Sequence, residues 1–259
     1  MGTLDNKTAL IFGVANHNSV AWAIAQKLAA EGARLAFTYQ ERMEQNVRKL
    51  TASMPDSLVL PCDVENDQEM DAVFEQVGNA FGGLDILIHS VAYAPTDDLK
   101  GRIAHISRDG FNTALGISAY SLIAMARRAE PLMERNGGGS MLAMTYLGSE
   151  RVFPNYNLMG IAKAALEATI RYLAWDLGGK GIRVNGISAG PLRTLSARGV
   201  GNINDMFAVV ERTAPLQRNI EQSDVGDLAA FLCGPASRNI TGEVIFVDAG
   251  FHAMGLGSL

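Results

Sequence analysis

Short apolar runs alternate with stretches of helical apolar spacing along the whole chain. Runs at residues 8–12, 34–39, 58–61, 84–89, 140–145, 182–188 and 244–247 are rich in Val, Ile, Leu, Phe and Ala, and read as buried strands. Between them, residues 19–31, 41–52, 67–81, 108–134, 156–177, 203–213 and 224–233 carry apolar positions at helical spacing. Gly32 follows the first of these helices as a natural stop. Near-continuous apolar strands separated by helices predict a parallel sheet covered on both faces. The expected fold class is therefore α/β: a single-domain, Rossmann-like, doubly wound fold with a seven-stranded parallel sheet. The longest irregular stretch is 188–202, long enough to be a functional loop. No repeat, linker or low-complexity segment interrupts residues 1–259, so one domain is expected.

Composition narrows the function. The chain is 48% hydrophobic with a net charge of -5 and no basic run, which argues against nucleic acid as a partner. No apolar stretch approaches the roughly 18 residues of a membrane span, and the N-terminus lacks the basic and apolar regions of an export signal. The two cysteines, Cys62 and Cys233, fit a reducing cytoplasm better than a disulfide framework. His17, His89, His105 and His252 share no ligand spacing with other His, Cys or carboxylate residues, so no metal site is expected. No Gly-x-Ser-x-Gly elbow supports a hydrolase.

The candidate chemistry lies in YNLMGIAK. Tyr156 and Lys163 are seven residues apart, close to two helical turns, and are expected on one side of one helix. A tyrosine beside an ammonium can stabilise a developing oxyanion. The usual reductase spacing, Tyr-x-x-x-Lys, occurs nowhere in the chain. The longer step separates the two groups by roughly 10 Å of helix rise instead of about 6 Å. With the lysine on a cofactor ribose, the tyrosine then reaches an oxyanion two atoms from the carbon that receives hydride. On spacing alone, an incidental Tyr and Lys on an amphipathic helix is an equal alternative.

The ends of the early strands suggest a dinucleotide. Gly13 stands at the first strand–helix junction, where a backbone can approach a pyrophosphate, although the full G-x-G-x-x-G fingerprint is absent. Ser19 is a ligand candidate and also a good helix N-cap. Gln40 can bond a ribose hydroxyl. Glu41 repels a 2′-phosphate and Arg42 attracts one, and the balance favours NADH over NADPH. Asp63 can accept from an adenine amine, or simply form a turn. Ser90 and Val91 follow the fourth strand at the expected switch in sheet direction, where small residues leave room for a cofactor.

Together GVANHNSVAWAIA (13–25), FTYQ (37–40), CDV (62–64), TYLG (145–148), PNYNLMGIAK (154–163) and ISAGPLRT (187–194) resemble the bacterial enoyl-acyl-carrier-protein reductases of the FabI type. These are divergent members of the short-chain dehydrogenase/reductase superfamily. The resemblance covers essentially the whole chain. It implies NADH-dependent reduction of the C2–C3 double bond of trans-2-enoyl thioesters in fatty acid elongation, with an acyl carrier protein as partner and a homotetramer as the assembly. It assigns enolate stabilisation to Tyr156, ribose binding to Lys163, and substrate positioning or protonation to Tyr146. Gly13, Ser19, Val20, Gln40, Asp63, Val64, Ser90 and Val91 are implied to line the dinucleotide, with Leu192, Arg193, Thr194, Leu195 and Ser196 along its pyrophosphate and nicotinamide. Ala94, Met159, Met206 and Phe207 join the two tyrosines around the substrate, under a lid at about 192–213. Ile203, Met206, Phe207 and Val210 have the spacing of an apolar roof, or of ordinary helix packing. Gly199 and Gly201 are hinge candidates, and Arg42, Arg193 and Arg198 are candidates for meeting an acidic carrier. Tyr93, Ala92, Val91 and the Asp248-Ala-Gly turn depart from the family's more usual residues. A 3-oxoacyl thioester ketoreductase would want Tyr-x-x-x-Lys and a preceding serine, which are absent; a non-catalytic NAD-binding module would not need the Tyr146, Tyr156 and Lys163 set.

Overall fold

Seven parallel strands form one sheet in the order β3-β2-β1-β4-β5-β6-β7. The computed structural model describes residues 2–194 and 203–255. In chain order the elements are β1 (Thr8–Phe12), α1 (Val20–Ala30), β2 (Arg34–Tyr39), α2 (Glu44–Thr51), β3 (Leu58–Pro61), α3 (Asp67–Phe81), β4 (Ile86–His89) and α4 (Thr96–Leu99). They continue as α5 (Arg108–Leu115), α6 (Ser121–Arg135), β5 (Gly139–Thr145), α7 (Asn157–Gly178), β6 (Ile182–Ala189), α8 (Ile203–Thr213), α9 (Gln222–Cys233) and β7 (Val244–Val247).

The apolar runs explain the architecture. In β1 every residue is buried, and successive side chains enter opposite cores. Leu10 and Phe12 join Met70, Phe74 and Leu122 on one face, while Ala9 and Ile11 join Ile24, Leu28 and Val225 on the other. Both faces therefore need helices, as the unbroken apolar strands predict.

The direction switch falls between β1 and β4, which pair in parallel from Ala9↔Ile86 to Phe12↔His89. Ser90 continues the ladder by donating its N–H to Phe12 O at 3.2 Å. Outside these strand ends lies the crevice in which doubly wound sheets bind ligands.

Several boundaries differ from expectation. β4 begins at Ile86, not at residue 84. Asp85 still bonds to Thr8 O and Ser140 N through its backbone, and its buried carboxylate accepts from Lys7 Nζ, the Thr8 amide and hydroxyl, and Asn136 Nδ2. The helix expected over 108–134 is broken by a π-helical segment at Gly116–Tyr120. There Ser118 Oγ donates to Tyr93 O and accepts from Tyr93 N, tying the segment to the chain beyond β4. The start of the expected 41–52 helix is a 3₁₀ turn, Glu41–Met43. The helix expected from residue 224 starts two residues earlier, after Glu221, whose side chain forms a capping box with Asp224. The short α4 was not foreseen. β6 runs on to Ala189, shortening the irregular stretch expected from 188.

Candidate active site

Tyr156 is the N-cap of α7, not its first helical residue, with φ -120° and ψ 14°. The preceding Asn155 has φ 61°, a left-handed conformation that asparagine tolerates well. This turn lays the Tyr156 ring against Tyr146, at the end of β5. The two ring centroids are 5.1 Å apart in an edge-to-face arrangement. The Phe153 ring also packs against Tyr146, with centroids 5.1 Å apart.

Gly148 makes this possible. A Cβ there would fall 2.5 Å from Tyr156 Cδ1 and 3.1 Å from Tyr146 Cδ1. The Tyr146 hydroxyl in turn donates to Met206 Sδ of α8 at 3.3 Å. Tyr146, Tyr156 and Met206, far apart in the chain, thus form one cluster. Burial raises the pKa of both tyrosines above the ordinary phenol range; the Asp248 charge adds to it at Tyr146, and Tyr146 and Glu167 add to it at Tyr156. Both hydroxyls are protonated donors at neutral pH.

Lys163, nearly two turns into α7, is buried and donates to Met144 O at 2.6 Å. Burial lowers its pKa to about 8, against the opposing pull of Glu167. Thr145, the residue between Met144 and Tyr146, donates its hydroxyl to Glu167 Oε1 at 2.5 Å. His89, at the end of β4, is fully buried. Ser121 Oγ donates to Ile117 O at 2.6 Å, so at 2.7 Å it accepts from His89 Nε2. Burial and then the Lys163 charge push His89 down to about 3, which leaves it neutral.

An apolar wall adjoins the tyrosines. Ala94 and Met159 are buried in a cluster with Leu99, Ala114, Leu158 and Ala162, against which Tyr156 packs. Phe207 of α8 is buried, and the Arg193 guanidinium lies over its ring at 4.4 Å. Arg193 Nη1 also donates to Asn204 Oδ1 at 3.0 Å. Arg193 is thus held by α8. Val210 is buried against Ala214 and Ala249, a packing role.

The crevice at the β1–β4 switch fits a dinucleotide. Gly13 has φ 103°, and a Cβ there would lie 2.1 Å from Ser90 O, so only glycine lets the two chain segments approach. Ser19 is positioned as the N-cap of α1 but makes no capping bond through its side chain. Its hydroxyl oxygen instead accepts from the Ala15 and Asn16 amides, both at 3.0 Å, and shapes the loop after β1. Val20, Val64 and Val91 are partly buried around the strand ends. Gln40 and Asp63 follow the paired ends of β2 and β3. Gln40 Oε1 accepts from Arg42 Nε and Nη2 at 3.2 and 2.9 Å, so Arg42 is engaged locally. Asp63 Oδ1 accepts from Glu65 N at 3.0 Å, the turn that sequence reading left open as an alternative. Leu192 is buried and its carbonyl accepts from Thr194 N. Leu195, Ser196, Arg198, Gly199 and Gly201 lie outside the described residues, as does the Ile203 side chain.

Sequence reasoning did not assign Glu167, Thr145's bond to it, or the His89–Ser121 pair. The only signal for Glu167 was its place four residues after Lys163. Cys62 and Cys233 are both free thiols, with pKa values pushed up to about 12 by burial.

Comparison with known proteins shows the family. Residues 13–252 match the sequence model of the family described as enoyl-(acyl carrier protein) reductase. The enoyl-acyl-carrier-protein reductase (NADH) FabI of Bacillus cereus is 52% identical over 258 residues, covering 98% of this chain and 100% of the relative. The NADPH enzyme of Staphylococcus aureus MRSA252 is 48% identical over 257 residues, covering 98% of this chain and 100% of the relative. The crystal structure of the Bacillus cereus enzyme with NADP+ and an indole naphthyridinone superposes with a TM-score of 0.96, covering 99% of this chain and 100% of that one. The Anaplasma phagocytophilum enzyme in complex with NAD gives 0.95 at 42% identity, covering 100% of this chain and 98% of that one.

Proposed function

This chain belongs to the FabI-type enoyl-acyl-carrier-protein reductase family, on the short-chain dehydrogenase/reductase fold, and we propose that Tyr156, Tyr146 and Lys163 are its catalytic residues. It is an NADH-dependent oxidoreductase that reduces enoyl-acyl-carrier-protein thioesters in fatty acid synthesis. The dinucleotide, when bound, supplies the hydride that adds to C3 of the trans-2-enoyl group.

The observation that carries the residue assignment is the contact between Tyr146 and Tyr156, with Lys163 on the same helix. Addition at C3 moves charge to the thioester oxygen, and a proton then taken up at C2 completes the saturated chain. Tyr156, protonated and preorganised by Gly148 and Tyr146, donates to that oxygen and stabilises the enolate. A single preorganised donor of this kind contributes roughly 3–4 kcal/mol. Tyr146 positions the thioester once its hydroxyl leaves Met206. Lys163 holds ribose hydroxyls and places positive charge behind the site.

Gly13, Ser19, Val20, Gln40, Asp63, Val64, Ser90, Val91, Leu192, Arg193, Thr194, Leu195 and Ser196 are proposed to line the dinucleotide. Close approach at Gly13 and the loop organised by Ser19 support that placement. Arg42 is bonded to Gln40 beside the negative Glu41, an arrangement that favours NADH over NADPH. Ala94, Met159, Met206 and Phe207 form the acyl pocket. The single domain 1–259 has its lid at about 192–213, supported by the contact of α8 with Tyr146.

The acyl carrier protein presents the substrate. A homotetramer is proposed, supported by Tyr172 and Trp175 on α7, 78% and 84% exposed, which border a groove with Ile123 of α6. So large an exposed apolar face fits burial between subunits. Light scattering at the mass of a 27.7 kDa monomer would remove that claim. Among the described residues no helix is long and apolar enough to cross a membrane. The reduced thiols suit a cytoplasmic enzyme.

The test is turnover of NADH with a trans-2-enoyl thioester and with a 3-oxoacyl thioester in parallel. Oxidation with the enoyl substrate alone is expected. Oxidation with the 3-oxo substrate alone would make the protein a ketoreductase, and NADH binding without turnover a non-catalytic module.

A further inference from the structure

Glu167 has no role in the chemistry described above, yet it is buried beneath it. It lies four residues after Lys163 on α7, so the two side chains share one helix face. The residue is 6% exposed, and its carboxylate accepts from the Thr145 hydroxyl. A buried carboxylate is costly unless hydrogen bonds and a nearby cation compensate it. Here the Thr145 hydroxyl supplies the hydrogen bond and Lys163, one turn away, the charge. Lys163 holds the Met144 carbonyl and Glu167 holds the Thr145 side chain, and the next residue is Tyr146.

We propose that Glu167 is a positioning residue of the reductase: its carboxylate keeps positive charge on Lys163 and anchors the end of β5 that carries Tyr146. The inference rests on the catalytic assignments made above.

The groups around Lys163 single out Glu167. From β5 come the Met144 carbonyl, the Thr145 hydroxyl and, just beyond it, the Tyr146 hydroxyl. Tyr156 stands at the N-cap of the same helix, and both phenols are protonated and neutral. From β4 comes His89, which is neutral. Asp248, beyond β7, acts on Tyr146 and is bonded to His252. Among the described residues only Glu167 pulls Lys163 towards its charged form against burial. The same charge favours the protonated form of Tyr156. One carboxylate therefore acts on both Lys163 and Tyr156, with burial the larger cause at Tyr156. A neutral amide in its place would satisfy Thr145 and do neither.

Glu167→Gln separates the two contributions, because its side-chain oxygen still accepts from Thr145 while the charge is gone. The readout is the pH profile of kcat/KM with NADH and an enoyl thioester. Activity falls on the alkaline side as Lys163 loses its proton. Removing a nearby opposite charge lowers an ammonium pKa, so that limb moves to lower pH, by about 1 unit or more. A limb that stays in place in the folded variant overturns the proposal, and a fall in thermal stability alone would leave Glu167 merely structural. Should the Gln variant fail to fold, Glu167→Asp withdraws the carboxylate by one methylene. The limb must then still move down, by less, and an unmoved limb again overturns the proposal. A wild-type protein without enoyl turnover would overturn the reductase assignment itself, and this inference with it.

Discussion

Replacing Gly148 by alanine tests how tightly the site is built. Nothing in the backbone requires glycine there, since Gly148 is not in the left-handed region. The effect is purely steric. The added methyl would stand 2.5 Å from Tyr156 Cδ1, 2.6 Å from Cε1 and 3.1 Å from Tyr146 Cδ1. Carbon contacts relax at about 3.5–4.0 Å, so the Tyr156 ring must retreat by about 1 Å. It has room to do so because it is only half-buried, and the fold should survive. The hydroxyl moves with the ring, away from where the enolate oxygen forms. A displacement of about 1 Å can cost on the order of 10²-fold in rate. We expect that loss in kcat/KM for an enoyl thioester, with NADH affinity unchanged because the dinucleotide crevice lies at Gly13 and Ser90. The assay pairs steady-state kinetics with NADH titration by fluorescence. Wild-type kcat/KM would refute the claim that the Tyr146–Tyr156 packing sets the catalytic geometry.

Tyr156→Phe should lower kcat about 10²–10³-fold, as for loss of one oxyanion donor, while NADH titration gives the wild-type affinity; undiminished turnover would remove Tyr156 from the mechanism. Arg193→Lys keeps the charge but loses the planar contact with Phe207, and an exposed cation–π contact contributes about 0.5–1 kcal/mol. The KM for a long enoyl chain should therefore rise roughly 2–5-fold, more than for a four-carbon substrate; equal changes for both chain lengths would count against a lid role for α8. Asp85→Ala strands the Thr8 and Asn136 donors at the start of β4 and should cost about 3 kcal/mol in urea unfolding at fixed protein concentration, with kcat retained; stability equal to wild type would show that the carboxylate is dispensable.

The sheet was legible in the sequence because strands buried on both faces leave largely apolar runs, as in β1 and β2, whose limits match the expected ones. Boundaries differed at particular side-chain contacts. Asp85 keeps backbone bonds to Thr8 and Ser140 while its carboxylate holds the Thr8 and Asn136 donors, and Ser118, within the π segment, binds both backbone atoms of Tyr93. The tyrosines and Lys163 were legible through spacing and motif, but their arrangement was not. Tyr156 reads as a helical residue until Asn155 is seen to turn the chain, which places the ring at the helix end and not on its side. Met206 reaches Tyr146 across sixty positions, a contact no local pattern encodes. Glu167 resembles the surface partner of an i,i+4 ion pair, and only the packing of α7 on β5 shows it to be buried. Ser19 has the right position for a cap, yet its hydroxyl oxygen accepts from the loop amides before the helix.

The central claim is that hydride reaches C3 of an enoyl thioester while Tyr156 stabilises the oxyanion two atoms away. A single-turnover reaction with NADH carrying deuterium at the transferable position, followed by mass spectrometry of the thioester product, reads this directly. Deuterium at C3 of a saturated acyl chain, formed by the wild-type protein and strongly slowed in Tyr156→Phe, is the predicted result. Deuterium on a carbinol carbon, or an unlabelled thioester, would contradict it.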